Sequence, residues 1–295
     1  MISLFKFLPT VKNASLLAGL LAMPGLVLGA AALPVWVTIE PQAYFLNAVG
    51  GDAVQVRVLV RPGHCVELYA PSPRDMAELS RAKAYFRMAV PVESVITKRL
   101  EAREAELRFF GPEFLWDTHQ HDHAHCEICG SATKDPHIWL DPLQMIDYVD
   151  VIKSGLSELL PERAAYFEAN AARLKSELTD LHASLEARFL NYSGRAFYIN
   201  HPSLLHFAKR YGLEQRSIEH AGSAPAAKRM AALIKEAREA GIGAVLAQPE
   251  FGRSSAAVMA DALGVPLLEV NILGRDYFEN MRGLAAAMER SFAND

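Results

Sequence analysis

A chain of 295 residues with 30 Lys and Arg against 34 Asp and Glu carries a formal charge of −4, and 51% of it is hydrophobic. Mild acidity of this size gives no electrostatic footprint for nucleic acid, so no nucleic-acid partner is expected. The length suffices for one large or two ordinary domains with full cores, and 3 cysteines are too few for a disulfide framework.

Residues 1–30 carry Lys6 and Lys12, an apolar run from Ala14 to Leu28, and no acidic residue. That pattern predicts a signal peptide, because the run falls short of the roughly 20 residues of a membrane-spanning helix. Gly29, Ala30, Ala31 and Ala32 offer small residues for cleavage near 30–32. The first cysteine is Cys65, so none follows the apolar run where a lipid would attach. The expected product is a soluble protein of the periplasm.

Strand-like and helical patterns then alternate. "VWVTI" is predicted as a strand, "PQAYFLNAV" as a helix, "VQVRVLV" as a period-2 strand, and "SPRDMAELSRA" as a helix with Ser72 at its N-cap. "AYF", "PVESVITKRLEAR" and "ELRFFG" continue as strand, helix and strand. The polar stretch 111–134 breaks this rhythm and is longer than compact domains usually tolerate without a function. One helix follows from Pro142 to Leu160, and Pro161 starts a second that places Phe167, Leu174, Leu178, Leu181 and Leu185 on one face. A second alternating series runs through "AFYIN", "PSLLHFAKRYG", "LEQRSI", "PAAKRMAALIKEAREA", "GAVLA", "SSAAVMADALG", "PLLEV" and "RDYFENMRGLAAAMERSF".

The predicted fold is α/β, with two lobes, each a parallel sheet flanked by helices, joined by one long interlobe helix. Its divisions are a signal peptide at 1–30, an N-terminal lobe at 31–160 holding the loop 111–134, a linking helix at 161–190, and a C-terminal lobe at 191–295.

Ligands of open parallel sheets bind at the carboxyl ends of strands. His201 follows "AFYIN", Gln248 and Glu250 follow "GAVLA", and Asn271 follows "PLLEV". After "VQVRVLV" come His64, Cys65 and Glu67, and His137 lies in "KDPHIWLDP". Inside the polar loop, "HQHDHAHCEIC" supplies His119, His121, His123, His125, Cys126 and Cys129, all soft metal ligands. In an oxidising compartment Cys126 and Cys129 read as a local disulfide, with a reduced metal-binding pair as the alternative.

"PQAYFLNAVGG", "VLVRPG", "YAPSP", "DPHIWLDP", "NHPSLLHFAKRYGLEQRSIE", "AQPEFGRSSA" and "DYFENM" stand in an order that resembles the cluster A-I substrate-binding proteins of metal ABC transporters, specifically the periplasmic zinc-uptake branch. The resemblance spans nearly the whole chain after the signal. It implies one Zn²⁺ held between two lobes, delivered by a monomer to a membrane permease with its cytoplasmic ATPase. His137 and His201 match two of the family's three histidine ligands. Glu67 stands where the first is usual, Asn271 where the family has an aspartate, and Gln248 where a glutamate is frequent.

Two histidines, Glu67 and a neutral Asn271 carry the same −1 charge as three histidines and an aspartate, so on this reading the carboxylate has changed lobes. A carboxylate in place of an imidazole hardens the site and admits Mn²⁺ or Fe²⁺ as alternatives to Zn²⁺. His64 or Cys65 completing the site is a second arrangement, and the histidine loop reads as an auxiliary collector at the cleft mouth. Two other readings stay open: the same fold with metal binding lost, acting as an adhesin, and a metallohydrolase. "HQHDH" misses the H-x-H-x-D-H pattern by one position, and the chain has no H-E-x-x-H helix, so no enzyme is expected.

Overall fold

The computed structural model describes residues 31–88, 90–101, 106–111, 135–219 and 223–292. The signal segment 1–30 and the loop ligands His119, His121, His123, His125, Cys126 and Cys129 lie outside the described residues, as does the expected Cys126–Cys129 pairing. No helix among the described residues is long and apolar enough to cross a membrane.

The first sheet has the order β2-β1-β3-β4, all parallel, from β1 (Leu33–Val37), β2 (Val54–Val58), β3 (Ala84–Phe86) and β4 (Arg108–Phe110). Helices cover these strands, so β3 is buried at every position and reads as an uninterrupted apolar run. Three helices alternate with them: α1 (Glu40–Gly50), α2 (Pro73–Leu79) and α3 (Pro91–Glu101). Ser72 caps α2 as expected, its hydroxyl accepting from the Asp75 N–H while the Asp75 carboxylate accepts from the Ser72 N–H in return.

The second sheet repeats the plan in the order β6-β5-β7-β8, again parallel. Its strands are β5 (Ala196–Ile199), β6 (Glu214–Ser217), β7 (Val245–Ala247) and β8 (Leu267–Glu269). α4 (Pro142–Leu159) and α5 (Ala164–Phe189) link the sheets, and α6 (Leu205–Arg210), α7 (Ala227–Glu239), α8 (Ser254–Leu263) and α9 (Tyr277–Phe292) alternate with the later strands.

α4 closes onto the first sheet because Gly155 has no side chain. A Cβ there would stand 2.8 Å from a Phe110 ring carbon and 2.9 Å from one of Phe86. The 26 residues of α5, about 39 Å of helix, serve both sheets. Near its start the Asn170 amide donates to the Val49 carbonyl of α1 at 3.0 Å. At its end Arg188 forms a two-pronged pair with Glu289 of α9, and the Phe189 ring meets Phe207 of α6 at 5.4 Å. The face predicted from the leucine spacing is the buried one, and Ala171 and Phe189 extend it. One apolar cluster therefore runs from Val35 to Phe292 across both lobes, and a second lies against β5 and β7 around Tyr198, Leu233, Val245 and Met259.

Candidate metal centre

Both sheets turn the carboxyl ends of their strands toward one cluster. Glu67 belongs to the irregular stretch after β2, His137 to the segment that returns from β4 toward α4, and His201 to the turn after β5. Glu67, His137 and His201 each offer a ligand atom within 4.8 Å of the other two. They are the one group of three or more His, Cys, Asp or Glu at such spacing among the described residues. Glu67 Oε1 lies 3.1 Å from His201 Nε2 and 3.6 Å from His137 Nε2. Two donors of a tetrahedral zinc ion at about 2.0–2.2 Å stand about 3.3–3.5 Å apart, so these separations bracket that geometry.

His137 is oriented by its own chain. Asp135 Oδ1 accepts from the His137 N–H at 3.0 Å and from its Nδ1 at 2.6 Å. With Nδ1 donating, Nε2 keeps its lone pair, and this buried atom has no hydrogen-bond partner among the described residues. The three residues after His137 form a 3₁₀ turn whose Trp139 indole donates to the Ile272 carbonyl of the second lobe at 2.7 Å. Asp141 then caps α4, accepting from the Leu143 N–H, and receives the Arg210 guanidinium in a two-pronged contact at 2.7–3.0 Å.

His201 is oriented by the neighbouring strand. Gln248, fully buried after β7, accepts from the His201 N–H at 3.2 Å and donates to the His201 carbonyl at 2.8 Å and to Ser203 Oγ at 2.6 Å. Both ends of the carboxamide hold this turn, so Gln248 acts as a brace. This brace also explains why α6 begins at Leu205, although the sequence predicts a helix from Pro202. The ring of Phe251 stacks on His201 at 3.7 Å with planes 6° apart.

Glu67 is buried enough that desolvation alone would raise its carboxyl. The hydrogen bond from His201 and the charges of His201 and His137 outweigh that and hold it below the usual carboxylate range. Asp135 follows the same balance, with burial opposed by His137 and His206 and the net direction downward. Burial pushes the Cys65 thiol up, and burial with the charge of Glu269 raises the Glu250 carboxyl against a hydrogen bond from its own backbone N–H.

Four sequence candidates are placed elsewhere. Asn271 is exposed, and its amide oxygen accepts from the Leu273 N–H at 2.9 Å, closing a turn after β8. His64 is exposed and sets its ring edge-on to Tyr69 at 6.2 Å. Neither Cys65 nor Glu250 joins the group. Conversely, the sequence reading assigned nothing to Asp135, Phe251 or His206. An aspartate two residues before a histidine, across a proline, was the available signal for the first.

Most of the chain is similar to proteins of known name. A family model described as ZnuA, zinc-uptake complex component A periplasmic, matches residues 35–291. The zinc-binding protein AdcA of Streptococcus pyogenes serotype M3 is 28% identical over 284 residues, covering 87% of this chain and 55% of that protein. The chain thus spans about half the length of the curated relatives it matches. A crystal structure of ZnuA superposes with a TM-score of 0.79 at 30% identity, covering 89% of this chain and 100% of that one. A zinc-bound ZnuA lacking residues 138–173 gives 0.80 at 30%, covering 90% and 99%. The laminin-binding protein Lmb of Streptococcus agalactiae, at 19% identity, TM-score 0.76 and coverage of 88% and 100%, shares the fold.

Proposed function

The chain belongs to the family of periplasmic zinc-uptake components, and we propose that it captures one Zn²⁺ on Glu67, His137 and His201 and delivers it to a membrane permease driven by a cytoplasmic ATPase. The observation that carries this reading is the convergence of three donor atoms from both lobes at 3.1 and 3.6 Å. Two imidazoles and one carboxylate are a zinc donor set, and a fourth position is left for water. The protein is a periplasmic, monomeric binding protein with no catalytic step of its own. Zinc is favoured over manganese and ferrous iron because affinity at nitrogen and oxygen donors rises along that series.

Calorimetric titration of metal-stripped protein tests the assignment. One tight zinc site is expected in the wild type, with manganese weaker. His137→Ala, His201→Ala and Glu67→Gln should each weaken zinc by more than about 100-fold, since even residues behind the ligands cost 10–100-fold. Unchanged tight binding in all three variants would place the cargo elsewhere. The histidine loop enters as an auxiliary collector: replacing His119, His121, His123 and His125 should remove weaker sites and leave the tight one.

A further inference from the structure

Behind the three donors stands a carboxylate that the ligand count leaves out. Asp135 Oδ1 receives both the main-chain N–H and the ring Nδ1 of His137, closing a ring of two hydrogen bonds over two residues. Pro136 between them disfavours helical backbone at Asp135, and its side chain reaches forward to His137. The environment is nearly dry, with the His137 side chain 1% and the Asp135 side chain 11% exposed. Asp135 Oδ2 is buried with no hydrogen-bond partner among the described residues.

The second lobe holds this arrangement in place. His206 Nε2 donates to the Asp135 carbonyl at 3.1 Å, and His206 Nδ1 accepts from the Gln144 amide at 2.9 Å. The Asp135 main chain is therefore gripped from α6 while its side chain grips His137. Charge completes the picture. Glu67 is the sole anion among the three converging donors, and Asn271 and Gln248 are neutral and turned to the main chain. A divalent ion on those donors keeps one uncompensated positive charge, and Asp135 is the buried anion that balances it.

We propose that Asp135 is the positioning residue of this centre: it fixes His137 with the proton on Nδ1, aims the Nε2 lone pair at the metal position, and makes the loaded site electrically neutral. The inference rests on the assignment of His137 as a zinc ligand. A carboxylate on the far nitrogen raises the basicity of the ligating one, and loss of such a partner costs about 10–100-fold in metal affinity.

Asp135→Asn keeps the size and an acceptor oxygen but removes the charge, whereas Asp135→Ala removes both. Two measurements on the full chain separate the roles: long-range proton–nitrogen correlation of the His137 ring in metal-free protein, and zinc affinity and release rate by chelator competition. The wild-type ring should carry its proton on Nδ1, and Asp135→Ala should lose that preference. Both variants should bind zinc about 10–100-fold more weakly, chiefly through faster release. Asp135→Asn is the variant expected to remain folded, checked by an unchanged melting temperature. Asp135→Asn within twofold of wild type, while His137→Ala abolishes tight binding, overturns the proposal alone. If His137→Ala also binds normally, the cleft assignment fails with it. An unaltered Nδ1–H tautomer in Asp135→Ala overturns the positioning role independently of any metal.

Discussion

Gln248→Glu is the most informative single change, because it tests whether this fully buried carboxamide braces the turn that carries His201. In this chain the carboxamide accepts from one atom of the His201 peptide and donates to another. A glutamate faces the His201 carbonyl with an oxygen at that 2.8 Å contact, two acceptors with no proton between them. Ser203 can rotate its hydroxyl to donate, so its bond is recoverable; the carbonyl has no such remedy. The least costly response is for the glutamate to keep its proton, since an ionised carboxylate at a fully buried position costs more. Against an unfolded value of about 4.3, holding a proton at pH 7 costs about 3.7 kcal/mol, at pH 6 about 2.3 and at pH 5 about 1. The folded pKa is raised, so the penalty is absent below the unfolded value and grows with pH until the folded value is passed. Urea unfolding of metal-free Gln248→Glu and wild type at those three pH values measures the slope, with Gln248→Leu as a pH-independent control. A destabilisation that stays flat and below about 1 kcal/mol would refute the brace.

Further expectations follow from contacts around the same cluster. Arg210→Ala strips the guanidinium from the nearly buried Asp141, which keeps its bonds from Leu143 and Gln144, so the loss in urea unfolding should be about 2–3 kcal/mol, short of the full cost of an unpaired buried charge. Phe251→Ala removes the ring stacked on His201 and should weaken zinc about 2–10-fold by calorimetry, with unchanged affinity counting against a positioning role for the stack. Asp150, partly buried, takes Lys175 and Lys153, whose hydrogen bonds and charges outweigh burial and hold its carboxyl below the usual range. Its stabilisation is complete above an unfolded value of about 3.9 and is lost as pH falls through the lower folded value. Being 43% exposed, it should contribute less than about 1 kcal/mol, seen as a reduced acid sensitivity of unfolding in Asp150→Asn.

The alternation of strands and helices was legible because covered parallel strands must be apolar on both faces, as Ala84, Tyr85 and Phe86 are, and because Ser72 and Pro73 mark a helix start by chemistry that needs no tertiary context. Convergence of the donors was not legible from spacing. Glu67 and His201 are 134 residues apart, and only the topology of two sheets, each presenting strand ends to the other, brings them within 3.1 Å. Their pairing entered the sequence reading through resemblance alone.

Two strand-end amides share a local role. Asn271 and Gln248 both follow strand ends and carry amide oxygens. Strand ends are also where the chain leaves its ladder and main-chain N–H groups need new acceptors. The Asn271 oxygen accepts from the Leu273 N–H and the Gln248 oxygen from the His201 N–H, so each side chain serves its own main chain first. An aspartate or glutamate would meet the same local demand with a charge to spare, which is what Asp135 does beside His137. The useful question at a strand end is therefore how many nearby N–H groups a side chain must satisfy before anything remains for a ligand. Applied to Glu67, that count finds no main-chain N–H on its carboxylate, whose contacts are the two imidazoles themselves.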